Sequence, residues 1–160
     1  MHFEHLVQIN DPLFPLLEPL SRVQVWRGLV LRMADPVQFL PGLVGCEIGE
    51  RVTSGGTITF SRHMDFGRFQ VRDHVTLETL KRIEVIAEGS DSWPAARMQI
   101  EIEEPCEETL NVRFTYEIAD KPDRDGLTDL TRQARQKAYE LSDIDTIRRI
   151  RELATTGELN

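Results

Sequence analysis

A predicted strand and a predicted helix open the chain. The segment HFEHLVQIN, residues 2–10, alternates apolar and polar positions, which predicts a β-strand with Phe3 and His5 on its inner face. After a proline-rich connector, Ser21 and Gln24 have the spacing of a capping box and predict the start of a helix. This helix places apolar residues on one face at three- and four-residue steps: Val23, Trp26, Leu29, Val30 and Met33.

A short apolar hook follows this helix. Pro36 cannot continue the helix, and it disfavours helical dihedral angles at Asp35. The hook, residues 36–42, contains Phe39 and is predicted to make one more helical turn before Pro41-Gly42. We expect this hook to act as a lid or a plug at one end of the space that the later elements enclose.

The middle of the chain has period two and the last third has helical period. Six alternating segments lie between the hook and a polar connector at 120–126: GCEIGERVT, TITFSRHMDF, RFQVRDHVTL, KRIEVIAEG, ARMQIEIEE and ETLNVRFTYEIA. Their alternation indicates an antiparallel sheet with one buried and one exposed face. From Thr128 to Ala154 apolar residues recur at helical spacing: Leu130, Ala134, Ala138, Leu141, Ile144, Ile147 and Ile150. Gly157 is predicted to end this helix.

The order of these elements predicts the fold. A long helix with one apolar stripe must cover the apolar face of the sheet. We therefore predict one α+β domain over residues 1–160, in which a curved antiparallel sheet of about seven strands wraps around the long C-terminal helix. Two short helices lie near the N-terminus. The sheet and helix then enclose a space between them.

Composition and charge exclude several classes of partner. With 40% hydrophobic and 29% charged residues and a net charge of −8, the chain is expected to bind neither nucleic acid nor an anionic membrane surface. Arg148, Arg149 and Arg151 cluster, but Asp143 and Asp145 on the same helix indicate a solvated face. No segment has the apolar length of a membrane span or the form of a signal peptide. We predict a cytoplasmic protein in which the two cysteines are reduced thiols.

Several short motifs resemble those of a known family. The segments VWRGLVLRMADPVQFLPGLVGCEI, SRHMDFGRFQVRDHVTL and IRRIRELATTGEL resemble the AtaL-like branch of the START/Bet v1-like (SRPBCC) superfamily. The shared pattern is Trp-x-Gly-Leu on the first helix, a Phe-x-Pro-Gly hook, a cysteine opening the next strand, and Ile-Arg-x-Leu before a glycine. This resemblance covers Phe3 to about Leu159. It implies a helix-grip fold with a hydrophobic ligand cavity but no particular activity, because the superfamily includes lipid carriers, polyketide cyclases and co-chaperones.

Two opposite charges fall on the apolar face of one predicted hairpin. Arg62 lies in line with Phe60 and Met64, and Asp73 lies among the inward residues of the next strand. If Phe66-Gly67 is a two-residue loop, Arg62 and Asp73 are diagonal neighbours. Because a buried charge needs a partner, we expect an ion pair that lines the cavity. It either anchors a polar group of the ligand or is purely structural.

Other residues are candidates for the same cavity. His5 could act as an acid or base there, or be a hydrogen-bonded core residue, and Trp26 is either core or cavity wall. Phe39 and Trp93 are candidates for the mouth, and Tyr116 points a hydroxyl inward from the same face as Phe114. The candidate ligand-binding residues are Arg62, Asp73, Trp26, Phe39, Phe60, Met64, Phe114, Tyr116 and His5.

Three functions remain open at this stage. The first is binding of an apolar or lipid-like small molecule. The second is a cyclase- or dehydratase-type enzyme that uses Arg62, Asp73, His5 or Tyr116, although no catalytic residue is assigned. The third is a protein-interaction or co-chaperone-like domain. Histidine spacing predicts no metal site, the chain lacks a phosphate-binding glycine loop and no cofactor is predicted. The sequence is compatible with a monomer or a homodimer.

Overall fold

The fold is an antiparallel sheet that packs against one long helix. The structure, a computed structural model, describes residues 1–91, 93–119 and 128–160, so the predicted connector at 120–126 lies outside the described residues. The described elements are β1 (His2–Asn10), α1 (Arg22–Ala34), a 3₁₀ turn (Pro36–Gln38), β2 (Gly45–Ile48), β3 (Val52–Ser54), β4 (Thr57–Asp65), β5 (Gln70–Glu78), β6 (Arg82–Ala87), β7 (Ala96–Glu103), β8 (Leu110–Ile118) and α2 (Thr128–Thr155).

The sheet is antiparallel and mostly follows chain order. Its strands run in the order β1-β8-β7-β6-β5-β4-β2, and β3 pairs with the other end of β4. The described residues thus form eight strands, one more than predicted, because the GCEIGERVT segment splits in two. The split falls at Gly49–Arg51, where only the Gly49 N–H still donates to Ser61 O, at 2.8 Å. The predicted helix-grip architecture is confirmed.

The start of α1 agrees with the sequence, but its buried face is rotated. Ser21 Oγ accepts from the backbone N–H of Gln24 at 3.0 Å, and Gln24 Oε1 accepts from the N–H of Ser21 at 2.9 Å, so the capping box is confirmed. Val23 was expected on the apolar face but is 40% exposed. The buried positions of α1 are instead Val25, Trp26, Gly28, Leu29, Arg32 and Met33. The apolar face therefore continues into a buried arginine.

A close contact between α1 and α2 explains the glycine in the Trp-x-Gly-Leu motif. A Cβ atom added to Gly28 would lie only 2.6 Å from Ile150 Cγ1. Ile150 is fully buried in the core. The two helices therefore approach each other where the first has no side chain.

The buried face of α2 differs from the predicted stripe. Leu141 and Ile144 are 51% and 49% exposed, and Leu130 is exposed as well, whereas Asp143 is fully buried. The prediction of a solvated face at Asp143 was therefore wrong, because Tyr116 and His5 supply polar partners to this carboxylate inside the protein. The remaining buried positions of this helix are Thr146, Ile147, Ile150 and Leu153. The fully buried residues of α2 thus lie in its second half, whereas Tyr139 in the first half is partly buried against the core.

Both ends of the helical layer form as predicted. The Phe39 N–H donates to Pro36 O at 3.0 Å, so the hook makes one further turn, and Phe39 is buried. At the other end Gly157 has φ +80°, and the Glu158 N–H donates to Leu153 O at 3.0 Å. These contacts satisfy the last carbonyl groups of α2. No helix of the described residues has both the length and the apolar composition that a membrane crossing requires.

Candidate functional site

A cavity of about 540 Å³ lies between the inner face of the sheet, the hook and the N-terminal half of α2. Most of its wall is apolar. The sheet contributes Met64, Val71, Val85, Ala87, Ala96 and Met98; the helical side contributes Met33, Phe39, Leu40, Ala138, Tyr139 and Leu141. The polar side chains in the wall are Arg32, Arg62, Asp73, Tyr116, Arg135, Ser142 and Asp145. Arg97 also borders the cavity, but its side chain lies on the exposed face of β7. This composition, apolar with a few polar groups, is typical of a small-molecule pocket.

The predicted ion pair is present in the cavity wall. Arg62 Nε and Nη2 donate to Asp73 Oδ1 and Oδ2 at 2.9 and 2.7 Å, and both residues are buried. Arg62 Nη1 donates to Met33 O at 3.1 Å, near the end of α1. Fork-to-fork geometry of this kind fixes both side chains. The guanidinium and the carboxylate are thus already engaged with protein groups.

The register behind this pair differs from the predicted one. Arg62 lies directly opposite Asp73, rather than diagonally, because the loop comprises residues 66–69 instead of two residues. The Phe66 N–H donates to Phe69 O at 3.0 Å and closes this longer loop. The predicted register is off by two positions. A two-residue shift keeps every side chain on its predicted face, so the ion pair was predicted correctly although the two residues were expected to be diagonal neighbours.

A second polar cluster joins the sheet to α2. The Tyr116 hydroxyl donates to Asp143 Oδ1 at 2.5 Å, and His5 Nδ1 lies 3.3 Å from Asp143 Oδ2. Burial raises the pKa of Asp143 to about 6, against the opposing effects of the Tyr116 hydrogen bond, the Arg32 charge and His5. Burial, followed by the Asp143 charge, raises the pKa of Tyr116 well above its ordinary value. Tyr116 therefore stays a protonated donor at neutral pH.

Aromatic rings pack around this cluster and beside the cavity. Tyr116 stacks on Phe3, and its ring also meets Tyr139; both centroid distances are 4.7 Å. Towards the loop side, Phe69 stacks between Phe66 and Trp93, with both centroid distances 5.0 Å. Trp93 and Phe66 both line the cavity. Aromatic rings thus flank the cavity on two sides.

Five of the nine predicted ligand-binding residues line the cavity: Arg62, Asp73, Phe39, Met64 and Tyr116. Trp26, Phe60 and Phe114 are buried in the hydrophobic core, outside this lining. His5 is half-buried and reaches the site only through Asp143. Ligand contact by any of these residues stays a prediction. Within the described residues, no three His, Cys, Asp or Glu side chains converge as metal ligands.

Sequence reasoning missed Arg32, Asp143 and Tyr139. Arg32 follows Val25 and Leu29 at seven and three residues, so it continues their helical face. Asp143 precedes Ile147 and Ile150 by four and seven residues in the same way. Helical spacing alone could have marked both as charges on buried faces. Single charged residues at such positions are common on solvated helices, so the spacing carried little weight.

Comparison with known proteins assigns the family. Residues 7–157 match the family model AtaL, acetylaranotin biosynthesis cluster protein L, and the chain belongs to this family. A search of curated proteins finds no match. The fold is that of the START/Bet v1-like superfamily, as the resemblance implied.

Three solved structures have a similar fold and low sequence identity to this chain. The ZhuI aromatase/cyclase from Streptomyces sp. R1128 superposes with a TM-score of 0.58 at 16% identity, over 94% of this chain and 90% of that one. The di-domain aromatase/cyclase StfQ of the steffimycin pathway gives 0.70 at 12% identity, over 98% of this chain and 51% of its own. The 18 kDa protein CC1736 from Caulobacter crescentus gives 0.65 at 18%, over 97% and 99%. These similarities establish the fold.

Proposed function

We propose that this protein binds an apolar small molecule in the cavity between the sheet and α2. The observation that supports it is the cavity itself: about 540 Å³, walled mainly by Met, Val, Leu, Ala and aromatic side chains. This volume lies within the usual range of roughly 300–1,000 Å³ for small-molecule sites. An apolar molecule of two or three fused rings would fit without displacing the core.

Native mass spectrometry on freshly purified protein is the direct test. Release under denaturing conditions then identifies any bound compound. A matched pair of variants tests whether the compound is bound in the cavity. Ala87→Phe places a ring in the cavity, and Ile86→Phe places the same ring on the opposite, exposed face of β6. We expect Ala87→Phe to lose the bound compound and Ile86→Phe to retain it. Equal retention by both variants would place the compound elsewhere.

A fluorescence assay gives an independent measurement. The chain has two tryptophans, and Trp93 lines the cavity whereas Trp26 lies in the core. In a Trp26→Phe variant, emission therefore reports on the cavity wall alone. An aromatic ligand in the cavity should quench or shift this emission with saturation. Unchanged emission for a ligand that calorimetry shows to bind would argue against the cavity.

A second candidate is an enzyme of the cyclase or dehydratase type, favoured by the Tyr116–Asp143–His5 cluster. Tyr116 lines the cavity and is hydrogen-bonded to a carboxyl whose pKa is about 6. A carboxyl with such a pKa can exchange a proton near neutral pH. Two of the similar structures are aromatase/cyclases, which is consistent with this candidate at the level of fold.

The enzymatic candidate has a specific reaction to test. In a dehydration, a β-hydroxy ketone loses an α-proton and its hydroxyl group, which leaves as water once it accepts a proton. The probe is 3-hydroxy-1-(2-naphthyl)butan-1-one, whose enone product absorbs at longer wavelength. We expect Tyr116→Phe to slow product formation, with Tyr139→Phe as the control. No acceleration by the wild type would remove this candidate but leave ligand binding intact.

A further inference from the structure

Arg32 is a buried guanidinium that lines the cavity without an ion-pair partner among the described residues. Its side chain leaves the last turn of α1 and is only 6% exposed. Nη1 lies 4.0 Å from the sulfur of Met98, a weak acceptor. Nε is buried with no hydrogen-bond partner, and Nη2 has none among the described residues either.

Two paired arginines, Arg62 in the cavity wall and Arg97 on the exposed face of β7, show what Arg32 lacks. Arg62 uses its Nε/Nη2 edge on Asp73. Arg97 uses the same edge on Glu84, at 2.9 and 2.5 Å. In Arg32 this edge is unoccupied. The Arg32 charge acts on the buried carboxylate of Asp143, but both oxygens of that carboxylate are already engaged, with Tyr116 and with His5.

Within the fold, the favourable interactions of the Arg32 charge are with the buried Asp143 and with the C-terminal end of α1, and neither is a direct hydrogen bond to the guanidinium. A cation in the last turn of a helix interacts favourably with the helix dipole, but an exposed side chain would do the same without losing its hydration. A buried charge without a partner is otherwise expensive and rare. A buried, unpaired donor that lines a cavity is instead what a polar group of a ligand requires.

We propose that Arg32 binds a carboxylate group of the ligand, and that the ligand is an aromatic or otherwise apolar carboxylic acid. This inference rests on the proposed ligand-binding function. The planar guanidinium matches the two oxygens of a carboxylate. The apolar part of such a ligand would then lie along Met64, Val71 and Phe66, and Tyr139 would flank the acid group.

Two isosteric probes separate charge from shape. Naphthalene-2-carboxylate and naphthalene-2-carboxamide have nearly the same size and shape. They differ in the charge of the group attached to the ring, which is −1 for the carboxylate and zero for the amide. By isothermal titration calorimetry at pH 7.5, the wild type should bind the carboxylate about tenfold more tightly than the amide. Arg32→Gln should bind both within about twofold of each other, and its affinity for the amide should stay that of the wild type.

Controls distinguish binding from folding. Arg97→Gln removes the same charge from the exposed face of β7, where Arg97 lies opposite Ile86 and is paired with Glu84, so it should keep the carboxylate preference. Thermal unfolding of Arg32→Gln should show only a small change in stability, because the variant removes a desolvated charge but also loses the favourable effect of that charge on Asp143 and on the end of α1. A destabilised Arg32→Gln that keeps the preference would make Arg32 structural and overturn the inference.

Two further outcomes would overturn the inference, and they differ in what they mean for the proposed ligand binding. Equal binding of both probes by the wild type would overturn the role of Arg32 and leave the cavity as a ligand site. Failure of the wild type to bind either probe, together with a bare mass in native mass spectrometry, would overturn the proposed ligand binding and this inference with it.

Discussion

Tyr116 and Asp143 are joined by a 2.5 Å hydrogen bond that links β8 to α2 in the interior of the protein. Asp143 is fully buried and accepts from a hydroxyl that itself lines the cavity. The same carboxylate contacts His5 on the edge strand β1. One acidic group thus connects the long helix to two strands and stands next to the candidate ligand site.

The buried Asp143 should make stability fall as pH rises. Its pKa is raised from 3.8 to about 6 in the folded protein, so the folded state binds more protons than the unfolded state between these values. The stabilising contribution is complete below about pH 4 and is lost as the pH rises through 6. The full difference amounts to about 2–3 kcal/mol.

Urea unfolding at several pH values would measure this effect. Asp143→Asn keeps the side-chain shape but cannot titrate, so the wild type should lose about 2–3 kcal/mol relative to this variant between pH 4 and pH 7. The Asp143 carboxyl carbon should titrate near pH 6 by NMR. A midpoint below pH 4, or parallel pH curves for the two proteins, would contradict the prediction.

Removing the Tyr116 hydroxyl should raise the pKa of Asp143 further. The hydrogen bond from Tyr116 is the largest influence that lowers this pKa against burial. Tyr116→Phe leaves a buried carboxylate oxygen without its donor and should cost about 1–3 kcal/mol at pH 7. The cost should be smaller at pH 5, where Asp143 is protonated. Tyr139→Phe, which keeps this hydrogen bond, should leave the Asp143 titration nearly unchanged.

The sequence predicted the architecture because alternation and helical spacing report which face of each element is buried. The Arg62–Asp73 pair was found in this way, since each charge interrupts an apolar face on its strand. The four-residue loop 66–69 was missed, and the register of the hairpin with it. A two-residue shift leaves each side chain on the same face of the sheet, but it changes which residue lies directly opposite on the neighbouring strand.

The second polar cluster could not be predicted in the same way. Tyr116 was expected to point its hydroxyl inward, but the residue that accepts its hydrogen bond, Asp143, is 27 residues away on another element. Only the docking of α2 on the sheet brings them together. The way α2 docks on the sheet also explains why Asp143 is buried while Leu141 is half exposed at the cavity. The apolar spacing of the helix predicts the opposite. Tertiary packing overrides local periodicity there.

Breaking the Arg62–Asp73 pair on one side should destabilise the protein strongly. Arg62→Met leaves the carboxylate of Asp73 buried without its two donors, and it frees Met33 O. Loss of one member of a buried pair costs about 3–5 kcal/mol. The double variant Arg62→Met/Asp73→Leu should recover most of this loss, because no uncompensated charge remains.

Chemical denaturation of the two single variants and the double variant gives the coupling energy of the pair. A single-variant loss below about 1 kcal/mol would mean that water reaches the pair and that it is a weak surface-like contact. Such an outcome would favour a role for Arg62 in ligand binding instead. Binding of the naphthalene probes to the double variant would then show whether the cavity needs these charges.

Gly28→Ala should destabilise the contact between α1 and α2. The added methyl group would approach Ile150 Cγ1 at 2.6 Å, in a packed region where Ile150 is fully buried. Overpacking costs about 1–3 kcal/mol, and the better helix propensity of alanine returns about 1 kcal/mol. The expected net loss is therefore up to about 2 kcal/mol. The double variant Gly28→Ala/Ile150→Ala, which removes the three side-chain atoms that crowd the new methyl group, should lose less stability than the two single changes added together. If the losses in the free energy of unfolding of the two single variants add up to that of the double variant, the two side chains do not interact. Gly28 would then not be needed for the close approach of the helices.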